Sequence, residues 1–121
     1  MKKVEEAAKE SFGETSFERG RAMNALATCL EMNSEVEEAE TVLREALKLK
    51  GFTGCSEISQ KVVLSSAYFN LGVLLLNLEK GPESVVNFKL SLAVKKDCGI
   101  NDEDDSVIEV RSYLTRAEEL K

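Results

Sequence analysis

The chain of 121 residues contains no histidine and no tryptophan, and it has a single proline. Without histidine, acid–base and nucleophilic schemes that use an imidazole are excluded, including the Ser-His-Asp arrangement. The sequence also lacks the G-x-G-x-x-G and G-K-[ST] loops that cradle phosphate groups. The scarcity of proline, together with abundant Ala, Leu, Glu and Lys, favours helices. We therefore expect an all-α protein that is not an enzyme and binds no cofactor.

Cysteine is also scarce, with three residues, Cys29, Cys55 and Cys98, that form no C-x-x-C pair. This spacing predicts neither a disulfide framework nor a zinc site, and free thiols fit a reducing, cytoplasmic compartment. Cys29 lies within a helical apolar pattern, so we expect a buried structural thiol there. The acidic run at 102–105 lacks the glycine and the spacing of a calcium loop, so no metal site is expected.

Basic residues are outnumbered by acidic ones, which gives a net charge of −6, and they form no stripe along the sequence. This balance argues against nucleic acid and against anionic membranes as partners. The longest apolar stretch, residues 62–78, is shorter than the ~20 residues of a membrane span and contains serine and asparagine. It predicts a helix that is apolar on more than one face.

Start and stop signals divide the chain, which we expect to be a single domain, into four parts. These are a leading helix over residues 1–14, a first helix–turn–helix repeat over 15–50, a second over 56–97 and a capping helix over 102–121. Possible capping boxes at Thr15-x-x-Glu18 and Ser34-x-x-Glu37 open two of the helices.

Glycines mark the predicted ends of these elements. Gly51 and Gly54 predict a loop between the repeats, and Gly99 ends the helix that precedes the acidic run. In Lys80-Gly81-Pro82, the glycine is expected to end one helix before the proline opens the next.

The most informative feature that is present is an internal repeat with an offset of 45 residues. Ala27 recurs as Gly72, Ala39 as Ser84, and Leu43 as Phe88. Further positions keep the same residue in both copies: Ala22 and Ala67, Leu26 and Leu71, Leu30 and Leu75, Leu47 and Leu92. A fixed period in this range is typical of stacked supersecondary units that bury their apolar faces against their neighbours.

These positions resemble the tetratricopeptide repeat (TPR), which has an aromatic, Leu and a small residue in its first helix and a small residue and an aromatic in its second. The second unit matches with Tyr68, Leu71, Gly72, Leu75, Ser84 and Phe88, and the first with Met23, Leu26, Ala27, Leu30, Ala39 and Leu43. The spacing of 45 rather than ~34 is similar to that of kinesin light chain-type repeats. The resemblance implies a short α-solenoid of two TPR-like units that binds a peptide or helix on its concave face.

With Leu71, Gly72 and Leu75 turned into the core, the concave side of the second unit carries another apolar stripe, Phe69, Val73 and Leu76. This spacing of i, i+4 and i+7 places the three side chains on one helix face. A stripe that the core does not need must be covered by something. The first or last helix, a bound partner segment and a second copy of the chain all remain open as the cover.

The resemblance assigns the remaining groove positions to polar side chains. The predicted partner-binding residues are Arg21, Asn24, Thr28, Phe69, Asn70, Val73, Leu76 and Asn77. Asn70 falls at one position of the clamp by which some TPR proteins hold chaperone tails, but Asn24 and Thr28 stand where Lys and Asn are needed. We therefore expect a non-catalytic adaptor for a protein or peptide partner. The alternative is a self-associating solenoid, or a fragment of a longer repeat protein.

Overall fold

The computed structural model describes residues 16–120, and its regular elements there are helices, as the sequence predicts. They are α1 (Phe17–Met32), α2 (Val36–Ala46), α3 (Lys50–Thr53), α4 (Ile58–Asn77), α5 (Gly81–Asp97) and α6 (Asp105–Glu119). The chain divides into two compact units, unit 1 (Met1–Gln60) and unit 2 (Lys61–Lys121). Helix α4 begins at the end of unit 1 and belongs mostly to unit 2. The predicted leading helix, residues 1–14, lies outside the described residues.

The 45-residue offset is reproduced in the ends of the helices. Helix α1 ends at Met32 and α4 ends at Asn77, while α2 begins at Val36 and α5 begins at Gly81. The turns that join the helices of each pair therefore span corresponding residues in the two units. The 45-residue repeat that is visible in the sequence is therefore also present in the local backbone structure.

The two turns share an unusual backbone conformation. Ser34 has φ 65° and Glu79 has φ 60°, and these are the non-glycine residues with positive φ among residues 16–120. In each turn the next amide reaches back to the helix: Glu35 N–H donates to the Leu30 carbonyl, and Lys80 N–H to the corresponding carbonyl, both at 2.8 Å. This six-to-one bond across a left-handed residue is the Schellman arrangement of a helix C-terminus.

The same turn geometry corrects two predicted signals. Ser34-x-x-Glu37 is not a capping box, because Ser34 is the left-handed residue of the turn and the N-cap of α2 is Glu35, which makes no side-chain cap bond. Gly81 does not end a helix, because it is the first residue of α5. A Cβ on Gly81 would lie 2.8 Å from the carbonyl oxygen of Leu120. The absence of a side chain at Gly81 therefore allows the end of α6 to pack closely against the start of α5.

The start of α1 is capped one residue later than predicted. The Ser16 hydroxyl accepts the Arg19 N–H at 3.1 Å, which satisfies one of the unpaired donors of the first turn. Thr15, the predicted cap, lies outside the described residues.

Unit 1 is built around small residues that bring its helices together. Its buried apolar side chains are Met23, Ala27, Leu30, Ala39, Leu43, Ala46 and Phe52. The last of these corrects the loop predicted around Gly51 and Gly54, because residues 50–53 form α3 and place Phe52 fully inside. A Cβ on Gly20 would lie 2.3 Å from Phe52 Cγ, so the ring occupies the space that glycine leaves on α1. Phe17 adds a second ring, 5.4 Å from Phe52 between centroids.

Unit 2 also packs a ring on a glycine, at Gly72, which is a small-residue position of the repeat. A Cβ on Gly72 would lie 2.7 Å from Phe88 Cε1, so the fully buried Phe88 ring of α5 rests on the backbone of α4. The Ser84 hydroxyl donates to the Gly72 carbonyl at 2.7 Å, which ties the two helices together at the same level. About two helical turns away, Ser65 and Ser91 are both fully buried and their hydroxyl oxygens lie 2.9 Å apart.

Helix α6 closes unit 2. Its stripe of Val107, Val110 and Ala117 is buried, and its N-cap is Asp104, whose carboxylate accepts the Ser106 N–H at 2.8 Å. Hydrogen bonds from the Ser106 hydroxyl and amide, with a smaller contribution from the positive charge of Lys95, hold the pKa of Asp104 below its ordinary value. Gly99, with φ 76°, ends α5 as predicted.

Candidate functional site

The apolar stripe predicted to bind a partner is covered by α6. Phe69, Val73 and Leu76 are partly buried and pack against the core cluster of Phe88, Val110 and Ala117. Of the three covers that the sequence leaves open, the structure therefore provides the intramolecular one, the last helix. Their side chains hold α6 in place, so in this arrangement the stripe is not an open groove.

Aromatic contacts fix this junction. Phe69 lies edge-on to Tyr113, with ring centroids 5.3 Å apart and an interplanar angle of 83°, and 5.8 Å from Phe88. The guanidinium of Arg116 lies 5.0 Å from the centroid of Tyr113. Such offset and edge-to-face pairs add about 0.5–1.5 kcal/mol each beyond their buried area. Displacing α6 to admit a partner helix would forfeit the Phe69–Tyr113 contact, which joins α4 to α6.

The predicted polar groove residues divide between the inside and the surface. Asn24 is buried, with 9% of its surface exposed, and Asn70 is partly buried. Asn77 is exposed at the end of α4. In unit 1, Arg21 and Thr28 are exposed. The structure therefore keeps three of the five predicted polar residues on the surface.

The exposed residues of α1 form a continuous face. Arg21, Ala25, Thr28, Cys29 and Met32 are exposed and follow one another at i, i+4, i+7, i+8 and i+11, which is one side of a helix. We call these five residues the α1 outer face. Met32 is 80% exposed, the highest value among the large apolar side chains described. The prediction that Cys29 is a buried structural thiol is wrong, because it belongs to this face and not to the core stripe.

The chemistry of the α1 outer face is mixed. At one end, the Arg21 Nε donates to the Glu18 carboxylate at 3.0 Å, so the charge there is partly compensated. In the middle, the Thr28 hydroxyl donates to the Asn24 carbonyl at 3.2 Å, and the small Ala25 side chain is exposed beside it. Small side chains allow another backbone to approach closely, and Met32 and Cys29 add adaptable apolar contacts.

Unit 2 has an open cavity of about 480 Å³ where the last turns of α4 and α6 meet. Its lining includes two of the predicted residues, Leu76 and Asn77, together with Glu79, Arg116, Glu119 and Leu120. The two carboxylates of Glu79 and Glu119 outnumber the guanidinium of Arg116, so the lining carries an excess of negative charge.

Neither metal chemistry nor a membrane span gains support from the described residues. Across residues 16–120 there is no cluster of three or more His, Cys, Asp or Glu side chains that could hold a metal ion. In that part of the chain, α4 is the one helix long and apolar enough to cross a membrane, by length and composition only. Core helices of soluble proteins pass the same test, and seven residues of α4 lie in the core.

No protein-family model, no curated protein and no solved structure matches this chain. The likeness to tetratricopeptide repeats therefore stands on the residues and the 45-residue offset given above.

Proposed function

We propose that the chain is a TPR-like, non-catalytic interaction module that binds a peptide or helix of a partner protein through the α1 outer face. The observation that carries the proposal is the exposure of Met32, Cys29 and Ala25 on one side of a helix whose other side is buried in unit 1. Exposed apolar residues that lie together on one helix face are typical of protein interaction sites.

The sequence assigns the partner to the first helix of each repeat, and in the first unit α1 offers an exposed face. In unit 2, the stripe of Phe69, Val73 and Leu76 packs against the core that α6 completes. Cys29, Cys55 and Cys98, all within residues 16–120, form no disulfide bond there, which fits the reducing compartment that we include in the proposal.

Two matched threonines provide the test. Thr28 and Thr41 are both exposed in the middle of a helix in unit 1, and both hydroxyls donate to the carbonyl four residues earlier, at 3.2 and 3.1 Å. Peptides are selected from a random phage-displayed library against the whole chain, and their affinities are measured for Thr28→Glu and Thr41→Glu. We expect Thr28→Glu to abolish binding and Thr41→Glu to leave it unchanged.

Self-association is separated from partner binding by light scattering across a dilution series. A monomer that binds selected peptides supports the proposal. Peptides that bind both threonine variants equally, or a dimer that persists on dilution and is broken by Thr28→Glu, would contradict it. The second of these results would favour the self-assembling alternative instead.

A further inference from the structure

Unit 2 contains a second surface whose charge is opposite to that of the chain as a whole. A groove of about 320 Å³ runs between α5 and α6, and its apolar lining consists of Leu92, Ala93 and Val107. Val107 is buried, Leu92 is partly buried and Ala93 is exposed. The groove therefore has an apolar floor that is accessible from outside.

The rim of this groove, which we call the α5–α6 groove, is basic. Lys89 and Lys96 border it from α5, and Arg111 borders it from α6. The single acid in the lining is Asp102, whose carboxylate lies 3.1 Å from Arg111 Nη2. Three cations against one anion stand out in a chain with a net charge of −6. An anionic ligand would be attracted to these three cations.

Exposed apolar side chains extend the same surface along α5. Val86 is 55% exposed and Leu90 is 40% exposed, and both lie within one turn of Lys89 on the outer side of the helix. A small anion would leave these side chains and the apolar floor uncovered. A chain segment that combines carboxylates with an apolar side chain would cover both.

We propose that the α5–α6 groove binds an acidic peptide segment of a partner protein, with an apolar side chain over Leu92 and Ala93 and its carboxylates facing Lys89, Lys96 and Arg111. The inference rests on the proposed role as an interaction module, but it concerns a different surface. A nucleic acid fits less well, because its bases need aromatic stacking partners and the lining of the groove contains no aromatic side chain.

Asp102 would compete with the peptide for Arg111. Its carboxylate forms an ion pair with the Arg111 guanidinium, and a carboxylate of the peptide would have to share that guanidinium or displace Asp102 from it. Both side chains are largely exposed, at 75% for Asp102 and 52% for Arg111, so the pair is weak and exchangeable. Removing this carboxylate should therefore strengthen binding, a result that a merely structural ion pair would not give.

The probe is a fluorescein-labelled synthetic peptide in which one leucine is flanked on both sides by glutamates, with binding followed by fluorescence anisotropy. The double variant Lys89→Glu/Lys96→Glu should raise the Kd of the peptide by about tenfold or more, since two attractive charges become two repulsive ones. Lys48→Glu/Lys50→Glu makes the same charge change at exposed sites in unit 1 and should have a much smaller effect. Asp102→Asn should strengthen binding by about twofold to fivefold.

Two control peptides separate charge from the apolar contact. Replacing the glutamates by glutamines should abolish binding, and replacing the leucine by glycine should weaken it. Equal losses in the two lysine double variants would overturn the proposal, as would stronger binding of single-stranded DNA or of phosphatidylserine vesicles to the same surface. Because Thr28→Glu should not affect this probe, failure here is distinguishable from failure of the α1 outer face.

Discussion

The two units fill the same interhelical space with side chains of different size at corresponding positions. In unit 2, Gly72 on the first helix receives the ring of Phe88 from the second. In unit 1, the same positions hold Ala27 and Leu43, a larger residue against a smaller one. Both pairs are almost fully buried. The repeat therefore conserves the volume shared by a pair of positions and not the residue at either one, as close-packed interiors require.

A second pair of positions differs in polarity. Unit 2 has the bonded serines Ser65 and Ser91, and the residues 45 positions earlier in unit 1 are Gly20 and Ala46. In unit 1 the space beside Gly20 is filled by the ring of Phe52. At these positions the helices of unit 1 pack through an apolar ring, whereas those of unit 2 are joined by a hydrogen-bonded pair of serines.

The largest expected effect comes from converting the unit 2 pair to the unit 1 pair. Gly72→Ala should lower the free energy of unfolding by about 1–3 kcal/mol, because the 2.7 Å approach to Phe88 outweighs the better helix propensity of alanine. Phe88→Leu should cost about 1–2 kcal/mol through the space it leaves. The double variant should cost clearly less than the sum of the two, since leucine vacates the space that the methyl group needs.

Tyrosine fluorescence makes this measurement specific to unit 2, because the chain has no tryptophan and its two tyrosines, Tyr68 and Tyr113, both lie in that unit. Urea denaturation then gives the free energies. Ala27→Gly in unit 1 serves as the converse control and is followed by far-UV circular dichroism, because both tyrosines lie in unit 2. It should cost about 1 kcal/mol, since no ring is available to fill the space. If the free-energy losses of the two single variants add up in the double variant, positions 72 and 88 do not compensate for each other in volume.

A smaller effect is expected from the serine pair. The Ser91 hydroxyl donates to the Ser65 carbonyl at 2.9 Å, and that of Ser65 lies 3.2 Å from the Ser91 carbonyl. Ser91→Ala and Ser65→Ala should each cost about 1 kcal/mol, and the double alanine variant should cost no more than either single variant. The exposed neighbour Ser66→Ala should change the urea midpoint very little. A double variant that costs twice as much would mean that each hydroxyl acts alone.

The sequence predicts the helical class, and its 45-residue offset recurs in the ends of α1 and α4 and in the starts of α2 and α5. It misses α3, because Gly51 and Gly54 conceal a short helix whose one large residue, Phe52, packs on Gly20 far earlier in the chain. It also misplaces Cys29, because α1 carries small and apolar residues on two sides and periodicity does not separate them. Long-range contacts decide both cases.

The candidate site is predicted in part for a related reason. The pattern of α4 shows that Phe69, Val73 and Leu76 need a cover, but the identity of the cover depends on how a later helix docks. The basic rim of the α5–α6 groove is not apparent in the sequence, because Arg111 is joined to Lys89 and Lys96 only by the fold.

The smallest expected effect tests whether the two turns are energetically equal. Ser34 and Glu79 both occupy the left-handed region, which glycine adopts without a steric penalty. Ser34→Gly and Glu79→Gly should each raise the free energy of unfolding by about 0.5–1 kcal/mol, seen as a rise of a few degrees in the thermal midpoint. Asn33→Gly, at an ordinary negative φ of −92°, should give no gain. Because the two turns share their dihedral angles and their hydrogen bonds, unequal gains would mean that Glu79 makes a further contribution through the cavity that it lines.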